Sequence, residues 1–588
     1  MPRRPSGLTK VQIVHRKRAN GDTYVERRTV KYDQKKRRNV VLKTKLEGKI
    51  PFGQTKMIPT KKYRTHEQKK ADEAKERKEH FTRRHVGAQA ILEWAGKESG
   101  IDEDLKASCG RWASKVISLA RYWTAQPGRT LSGLEAFQAL RDLPAHLSED
   151  LCRKMFDWLG RSDARLTYFS KRAGRVKDRS SICYDSTTVS TQSENLTEAV
   201  YGYSKDGSGL PVIKIAALYA AENGQPVGFA KMPGNIPDIA SLSNALAVLH
   251  PLGLEDPTVI MDNGYYSKEN IAELYTEGVK FLVRIGIASS KTVKDLIEGH
   301  RSEFLRPGNR MPQHSGGDTV HGIAKETEVE FVHVYKRETK KHKAGETVKF
   351  KKKIWVYAYH SRQKEADERD ELDRRISELK VQLLRGDELT EAAKKNAEKW
   401  FEITRDEDGK IISAECDGDW YDKATKNFGF FALASSSEMK AGDALGDYRR
   451  REHIEGLFKD YKQDMDGDCT RVWDGDRFWG RLFVQFAALG YREFLLRRIR
   501  EVRESLGAAP KDRPRSEIKD EDRLRTWLNN KSLAEILDWF DTVDLQKLSR
   551  TKKLLSEMTK RDCLFLQKIG YTGLLLPEKD ENKKVKIG

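Results

Sequence analysis

The stretch Tyr448-Arg-Arg-Arg-Glu-His-Ile-Glu455-Gly-Leu-Phe-Lys-Asp-Tyr-Lys462 carries a phenol, a guanidinium, a carboxylate and an ammonium at regular spacing. Apolar Ile454, Leu457, Phe458 and Tyr461 recur at i, i+3, i+4 and i+7, which predicts a helix. At about 100° per residue, Tyr448, Arg451, Glu455 and Lys462 share a sector roughly 60° wide and ~21 Å long. A lone surface glutamate forms a salt bridge and nothing more. A glutamate flanked on its own face by three phosphate-seeking donors suits a carboxylate acting on a phosphodiester through a metal ion.

Two further carboxylates stand where such chemistry needs them. Ser181-Ile-Cys-Tyr184 runs into Asp185-Ser-Thr-Thr188, an apolar strand with a carboxylate inside it. Burying that charge is costly unless it is paired or bound to a metal. Thr258-Val-Ile-Met261 is a short apolar strand ending at Asp262-Asn-Gly264, at the C-terminal strand end where α/β folds place their sites. Asp185, Asp262 and Glu455 are hard oxygen donors that select Mg²⁺, with Mn²⁺ as a substitute. Two such ions would activate a water or a 3′-hydroxyl and stabilise the leaving oxygen of an in-line phosphoryl transfer.

The elements around these residues predict an α/β core. Val212–Tyr219 and Pro226–Met232 read as a hairpin across the Glu222-Asn-Gly224 turn. A helix from Asp238 to Leu249, the Thr258 strand, a helix capped by Ser267 and a fifth strand at Val279–Ile285 follow. The order βββ-α-β-α-β predicts a mixed five-stranded sheet with flanking helices. Upstream, helical periodicity runs from about Ala88 to Gly160, with Ser148 as an N-cap. Downstream, 290–435 mixes β-rich pieces with a charged helical hairpin at 362–401. Arg477–Gly490 is apolar on most sides and predicts a buried helix over the sheet. The chain divides into a basic N-terminal arm (1–84), a helical DNA-binding region (85–175) and the first part of the core (176–289). An insertion (290–435), the second part of the core with the Glu455 helix (436–500) and a helical C-terminal region (501–588) complete it.

Composition narrows the class. Of a net charge of +21 over 588 residues, +18 falls in the first 90, where 27 Lys and Arg face 9 Asp and Glu. Such a concentration, including Lys35, Lys36, Arg37 and Arg38, suits counterion release from a nucleic acid. Mean hydropathy is −0.73, no apolar run is long enough to span a membrane, and MPRRPSGLTK has no apolar signal region. Six dispersed cysteines form no CxxC pair and thirteen histidines no HxH or HExxH cluster. A disulfide framework and a histidine-bound zinc are therefore unsupported, and the compartment reads as a reducing cytoplasm. Cys183, beside Asp185, reads as a buried structural cysteine.

The set Asp185, Asp262 and Glu455 resembles the acidic triad of DDE transposases with an RNase H-like, retroviral integrase-like core. Tyr448-x2-Arg451-x3-Glu455-x6-Lys462 resembles the Tyr-Arg-Glu-Lys signature of a large branch of bacterial insertion-sequence transposases. Ile182–Thr187, Tyr201–Asp206 and Met261–Ser267 resemble segments of the same branch. The resemblance implies cut-and-paste transposition at terminal inverted repeats by a dimer pairing two DNA ends, in a bacterial cytoplasm at the nucleoid. It implies that the three carboxylates hold two metal ions, that Tyr448, Arg451 and Lys462 grip phosphates near the cleaved end, and that 290–435 is a β-rich insertion. The helical stretch 362–401 departs from that pattern. Some relatives flip a base onto an aromatic; for Trp355, Trp400 and Trp420 a place in the core is the stronger reading. Two alternatives stay open. One is a retired, transposase-derived DNA-binding protein, which has no need of three costly carboxylates; the other is a structure-specific nuclease on the same fold, which yields hydrolysis products only.

Overall fold

The computed structural model describes residues 9–574 apart from 34, 61–81, 177–180, 205–206, 250–251, 255, 289, 312–318, 336–337, 339–340, 471, 509–513 and 548–552. They fall into two compact units, residues 1–84 with 544–556 and residues 85–543 with 557–588.

The first unit departs from the expected arm. Strands β1 (Thr9–Lys17), β2 (Thr23–Asp33), β3 (Arg38–Ile50) and β4 (Ile58–Pro59) form an antiparallel meander. Val11–Val14 and Asn39–Leu42 are not isolated fragments but parts of β1 and β3. Basic residues do not prevent this: Val25 and Val30 are buried while Arg27 is exposed, and the β2–β3 pairing shifts register at Val25/Glu26 and Thr29/Val30, which interrupts simple alternation. The helix-prone stretch from Lys61 lies largely outside the described residues. Beyond it β5 (Thr82–His85) lies beside Asp544–Lys547, itself paired with Lys553–Leu555. Arg83 Nε donates to the buried Asp544 carboxylate at 2.6 Å. The C-terminal region is therefore not purely helical.

The second unit opens with six helices, α1 (Gly87–Glu98), α2 (Ile101–Cys109), α3 (Ala113–Ala125), α4 (Leu134–Ala139), α5 (Glu149–Arg161) and α6 (Ala164–Ala173). Ser148 caps α5 by accepting from the Leu151 N–H at 3.2 Å. The five predicted strands follow as β6 (Ser181–Thr191), β7 (Val212–Ala220), β8 (Gln225–Pro233), β9 (Thr258–Met261) and β10 (Lys280–Ile285). Between them lie α7 (Leu242–Leu249), preceded by a 3₁₀ turn at Asp238–Ala240, and α8 (Lys268–Thr276), capped by Ser267. These strands are contiguous, in the order β8-β7-β6-β9-β10, with β6, β9 and β10 parallel and the hairpin antiparallel.

The sheet does not stop at five strands. After α9 (Lys291–His300), β11 (Val320–Val334) and β12 (Thr347–Ser361) pair over their full 15 residues and extend it. The helical hairpin is α10 (Arg362–Arg385) and α11 (Glu391–Trp400), followed by β13 (Phe401–Arg405), β14 (Ile411–Cys416) and α12 (Gly418–Thr425). These pieces share a small core of Ile376, Leu379, Leu383, Ala397, Trp400, Phe401 and Ala414. Trp420 stacks on Trp400 at 5.3 Å, and Trp400 is buried. β15 (Phe430–Ser435) then inserts between β10 and β12, antiparallel to both, and stitches the expected insertion to the core. With β16 (Cys469–Thr470) beside β6, the described sheet has nine strands.

The predicted Tyr448–Lys462 helix is two helices, α13 (Ala441–Arg449) and α14 (Glu452–Asp464). At the junction the N–H groups of Arg451, His453 and Ile454 reach back three residues rather than four, which tightens the chain locally. α15 (Gly475–Ala508) is longer than the apolar run suggested. It crosses α5 backbone to backbone: a Cβ built on Gly480 would overlap the Phe156 carbonyl, and one on Gly160 the Asp476 carbonyl.

Gly480→Ala should therefore cost about 1–3 kcal/mol or more of unfolding free energy by forcing the helices apart. Gly456→Ala on α14, where a Cβ meets nothing within 4 Å, should gain about 0.5–1 kcal/mol. Urea denaturation of both variants checks the pair.

Candidate active site

Parallel pairing of β6 with β9 sets Ser181 opposite Thr258, Ile182 opposite Val259 and Cys183 opposite Ile260. Continuing that register by two residues brings Asp185 level with Asp262. Both then lie two positions past the Cys183–Ile260 pair and project from the same face. α14 buries Ile454, Leu457, Phe458 and Tyr461, and Glu455 follows Ile454 on the open side. Three carboxylates from three elements thus meet in one place.

At their focus lies Arg451. Its Nη1 donates to Asp185 Oδ2 at 3.0 Å, its Nη2 stands 3.6 Å from Asp262 Oδ2, and the same Nη2 donates to Glu455. Burial opposes the Arg451 charge, but the Tyr448, Asp262, Asp185 and Glu455 oxygens outweigh it and raise its pKa further. Tyr448, at the end of α13, donates its hydroxyl to Asp262 Oδ1 at 2.9 Å. Burial, and then the Asp262 charge, push the phenol up, so it stays a donor. Burial also works against ionisation of Asp262; Arg451, the Asn263 N–H and the Tyr448 hydroxyl overcome it and hold the carboxyl below its usual range. Lys462 and Lys459 line the same cavity of about 330 Å³.

The sequence-predicted residues Asp185, Asp262, Glu455, Tyr448, Arg451 and Lys462 are thus brought together, although on two helices rather than one face. Lys35, Lys36, Arg37 and Arg38 are not part of the group; the first three lie in the exposed turn after β2 and Arg38 opens β3, in the other unit. Cys183 is fully buried, and burial pushes its thiol up to about 12, which removes it as a nucleophile.

A fourth carboxylate in the cavity escaped the sequence reading. Asp238 Oδ1 accepts from Ser186 Oγ and from Lys214 Nζ, each at 2.8 Å. Ser186 also accepts from the buried Tyr265 hydroxyl at 3.0 Å, and its backbone N–H donates to Asp185 Oδ1 at 2.8 Å. A chain of polar groups thus runs from Asp238 to Asp185. The available signal was Lys214, a lysine inside the otherwise apolar strand VIKIAALYA, which requires an acidic partner.

Among the described residues no three His, Cys, Asp or Glu side chains are grouped as a ready metal cage. The donor set nonetheless fits a hard divalent cation, because three carboxylates converge on one positive centre through oxygen alone.

Residues 177–490, just over half the chain, match the family model described as Transposase DDE domain. The chain belongs to this family. It is accordingly a transposase, an enzyme of a metal-dependent class whose members generally use divalent ions. No curated protein matches the chain in sequence. Among solved structures, a cryo-EM structure of a piggyBac transposase synaptic complex with hairpin DNA matches over 83% of this chain and 78% of its own. Identity is 10% and the TM-score 0.28, too low to support any argument.

The site generates two predictions. Asp238→Ala leaves the Lys214 ammonium, whose side chain is 9% exposed, with the Ile236 carbonyl as its remaining acceptor, and should cost about 1–3 kcal/mol. Adding Lys214→Met should recover most of that in urea denaturation. Behind α14, Glu493 on α15 is buried and accepts from the Tyr219 hydroxyl at 2.8 Å; burial raises its pKa to about 7 from 4.5. The folded state then keeps a proton that the unfolded state has lost, so stability falls as pH rises between those values. Glu493→Gln should remove this loss, up to about 1.4 kcal/mol per pH unit. Unfolding free energies measured from pH 4 to 8 check the difference between variant and wild type.

Proposed function

We propose that this transposase carries out Mg²⁺-dependent cut-and-paste transposition of an insertion sequence. As a homodimer it binds terminal inverted repeats, cleaves the DNA at the element ends and transfers the 3′-hydroxyl strands to target DNA. The observation that carries the reading is the convergence of Asp185, Asp262 and Glu455 on Arg451, with Tyr448 bonded to Asp262 and Lys459 and Lys462 lining the same cavity.

Asp185, Asp262 and Glu455 would hold the metal. The bound ions supply Lewis-acid activation of the attacking oxygen and stabilise the leaving one. The chain's own residues do the rest. Tyr448 keeps Asp262 oriented and ionised through its hydroxyl, while Ser186 and Tyr265 hold Asp185. Arg451, whose N–H groups are satisfied by carboxylates, would turn them to the non-bridging oxygens of the scissile phosphate as those carboxylates take up metal. Lys462 adds a point charge beside it. The exposed Lys35–Arg38 turn would contact DNA backbone outside the cavity.

The test incubates purified protein with labelled duplex carrying its element's ends, Mg²⁺ and a target plasmid. Wild type should cleave the ends and yield joined product. Asp262→Asn and Glu455→Gln should each lower cleavage by on the order of 10³-fold, several kcal/mol of barrier, while binding the duplex nearly as well. A variant that still cleaves at the wild-type rate removes that residue from the site. Cleavage without joining would leave a nuclease, and binding without cleavage over a range of divalent metals a retired transposase.

A further inference from the structure

Far along the second unit, helix α16 (Arg515–Asn529) carries Arg515, Lys519, Arg523 and Trp527 at steps of four residues. Residues so spaced share a face, with a rise of about 6 Å at each step, so the three cations span about 12 Å and the whole ladder about 18 Å. They form one wall of an open groove of about 1150 Å³ whose apolar lining residues are Ile518, Trp527 and Trp539. The opposite side comes from α17 (Leu533–Phe540), which offers Trp539 at 40% exposure, and from the start of α18 (Lys560–Ile569).

Arg561 fixes the floor. Its guanidinium lies 4.3 Å from the Trp527 ring centre and 4.8 Å from that of Trp539, and it donates to Asp562 at 2.8 Å. Trp539 Nε1 donates to the same carboxylate at 3.1 Å. The two indoles and the guanidinium are therefore locked as one plate. Along the rims the charge is lopsided. Six cations line the groove against Asp520 and Asp522, and those two acids stand near Arg523 at 3.6 Å and Arg525 at 2.8 Å. Among the described residues, Arg515, Lys519 and Lys560 have no acidic partner.

None of this serves the carboxylate cavity, which shares no residue with it. A groove with an apolar floor and cationic rims matches a ligand with an apolar body and regularly spaced anionic edges. Phosphates advance about 3.4 Å along the axis per strand, so a 12 Å row of three cations faces three or four successive phosphates. We propose that the groove between α16, α17 and α18 is a second DNA-binding site, which takes one sugar–phosphate strand of duplex DNA with its phosphates on the Arg515–Lys519–Arg523 rim. The proposal rests on the transposase reading for the identity of the polyanion.

The test uses the full chain and a random-sequence fluorescent 30-bp duplex, with affinity measured by anisotropy across a KCl series. One variant combines Arg515→Gln, Lys519→Gln and Arg523→Gln. A control removes the same charge from an exposed stretch of α11, by Lys394→Gln, Lys395→Gln and Lys399→Gln. Both sets lie at exposed positions, and circular dichroism melts confirm that each variant folds. Each lost phosphate contact lowers the magnitude of the log K against log salt slope by about 0.9. The groove variant should thus lose about 2.7 from the wild-type slope and bind at least tenfold more weakly at low salt, while the control keeps the wild-type slope. Equal slopes in the two variants would overturn the groove, and a groove built for an acidic protein gives that result. If wild type cleaves element ends while the variants titrate alike, the groove falls and the transposase reading stands. If wild type itself shows no salt-dependent duplex binding, both fall.

Discussion

Three carboxylates cannot share a half-buried cleft without a counter-charge, and in this protein the counter-charge is Arg451. Its side chain is 12% exposed and reaches Asp185, Asp262 and Glu455 at once. At such distances the three acids would otherwise repel one another across the cleft. The guanidinium is suited to this because it is planar, permanently charged and able to donate from two edges. The break between α13 and α14 falls at the same residue. Tightening the chain over Arg451–Ile454 places Tyr448 and Arg451 beside the acids from one helix end and Glu455 from the next. A straight helix would string Tyr448, Arg451 and Glu455 over about 10 Å instead of folding them around one point.

The arrangement is held from behind as firmly as from within. α14 presses an apolar face on the sheet and is tied on its other side to α15, where Arg492 pairs with both Asp460 and Asp464. α15 in turn is locked against the N-terminal helices, with Tyr491 donating to Asp102 and Arg121 Nη2 holding the same carboxylate at 2.6 Å. Packing this dense tolerates little movement, as the bare backbone contact between Gly480 and Phe156 shows. The acids of the cleft therefore sit on rigid elements, which suits chemistry that depends on positioning more than on loop motion.

Much of this was legible in the chain itself, and the exceptions have physical causes. The five core strands and their order of types, the Ser148 and Ser267 caps and the helical hairpin at 362–401 follow from periodicity and local polar groups, which are short-range signals. That β15 passes between β10 and β12, and so fuses the expected insertion to the sheet, depends on pairing between strands 70 to 150 residues apart in the chain. No local pattern reports that. The first unit misled for a different reason. A run dense in Lys and Arg reads as an arm by composition, whereas long antiparallel pairing can form around a few buried apolar residues such as Val25 and Val30. Asp185, Asp262 and Glu455 stood out because each is out of place for a structural residue. Asp238 did not, because an aspartate after a proline is an ordinary turn former until its partner Lys214 is seen inside the sheet.

The charge distribution resolves a conflict built into any acidic site that must accept a polyanion. Net charge is nearly neutral beyond residue 90, since +18 of the +21 lies before it. A carboxylate cluster alone would repel phosphate, and basic residues packed directly against it would compete with metal for the acids. Here one arginine shields the acids and two lysines line the cavity, while most of the net positive charge belongs to the first 90 residues of the sequence. Attraction over distance comes from many exposed charges and weakens with salt, because the screening length is only about 8–10 Å. Under the proposed function, discrimination at the bond to be broken would come from a few half-buried groups that salt screens less. Under that same function, separating the two would let the site stay acidic enough to hold metal without losing its hold on DNA.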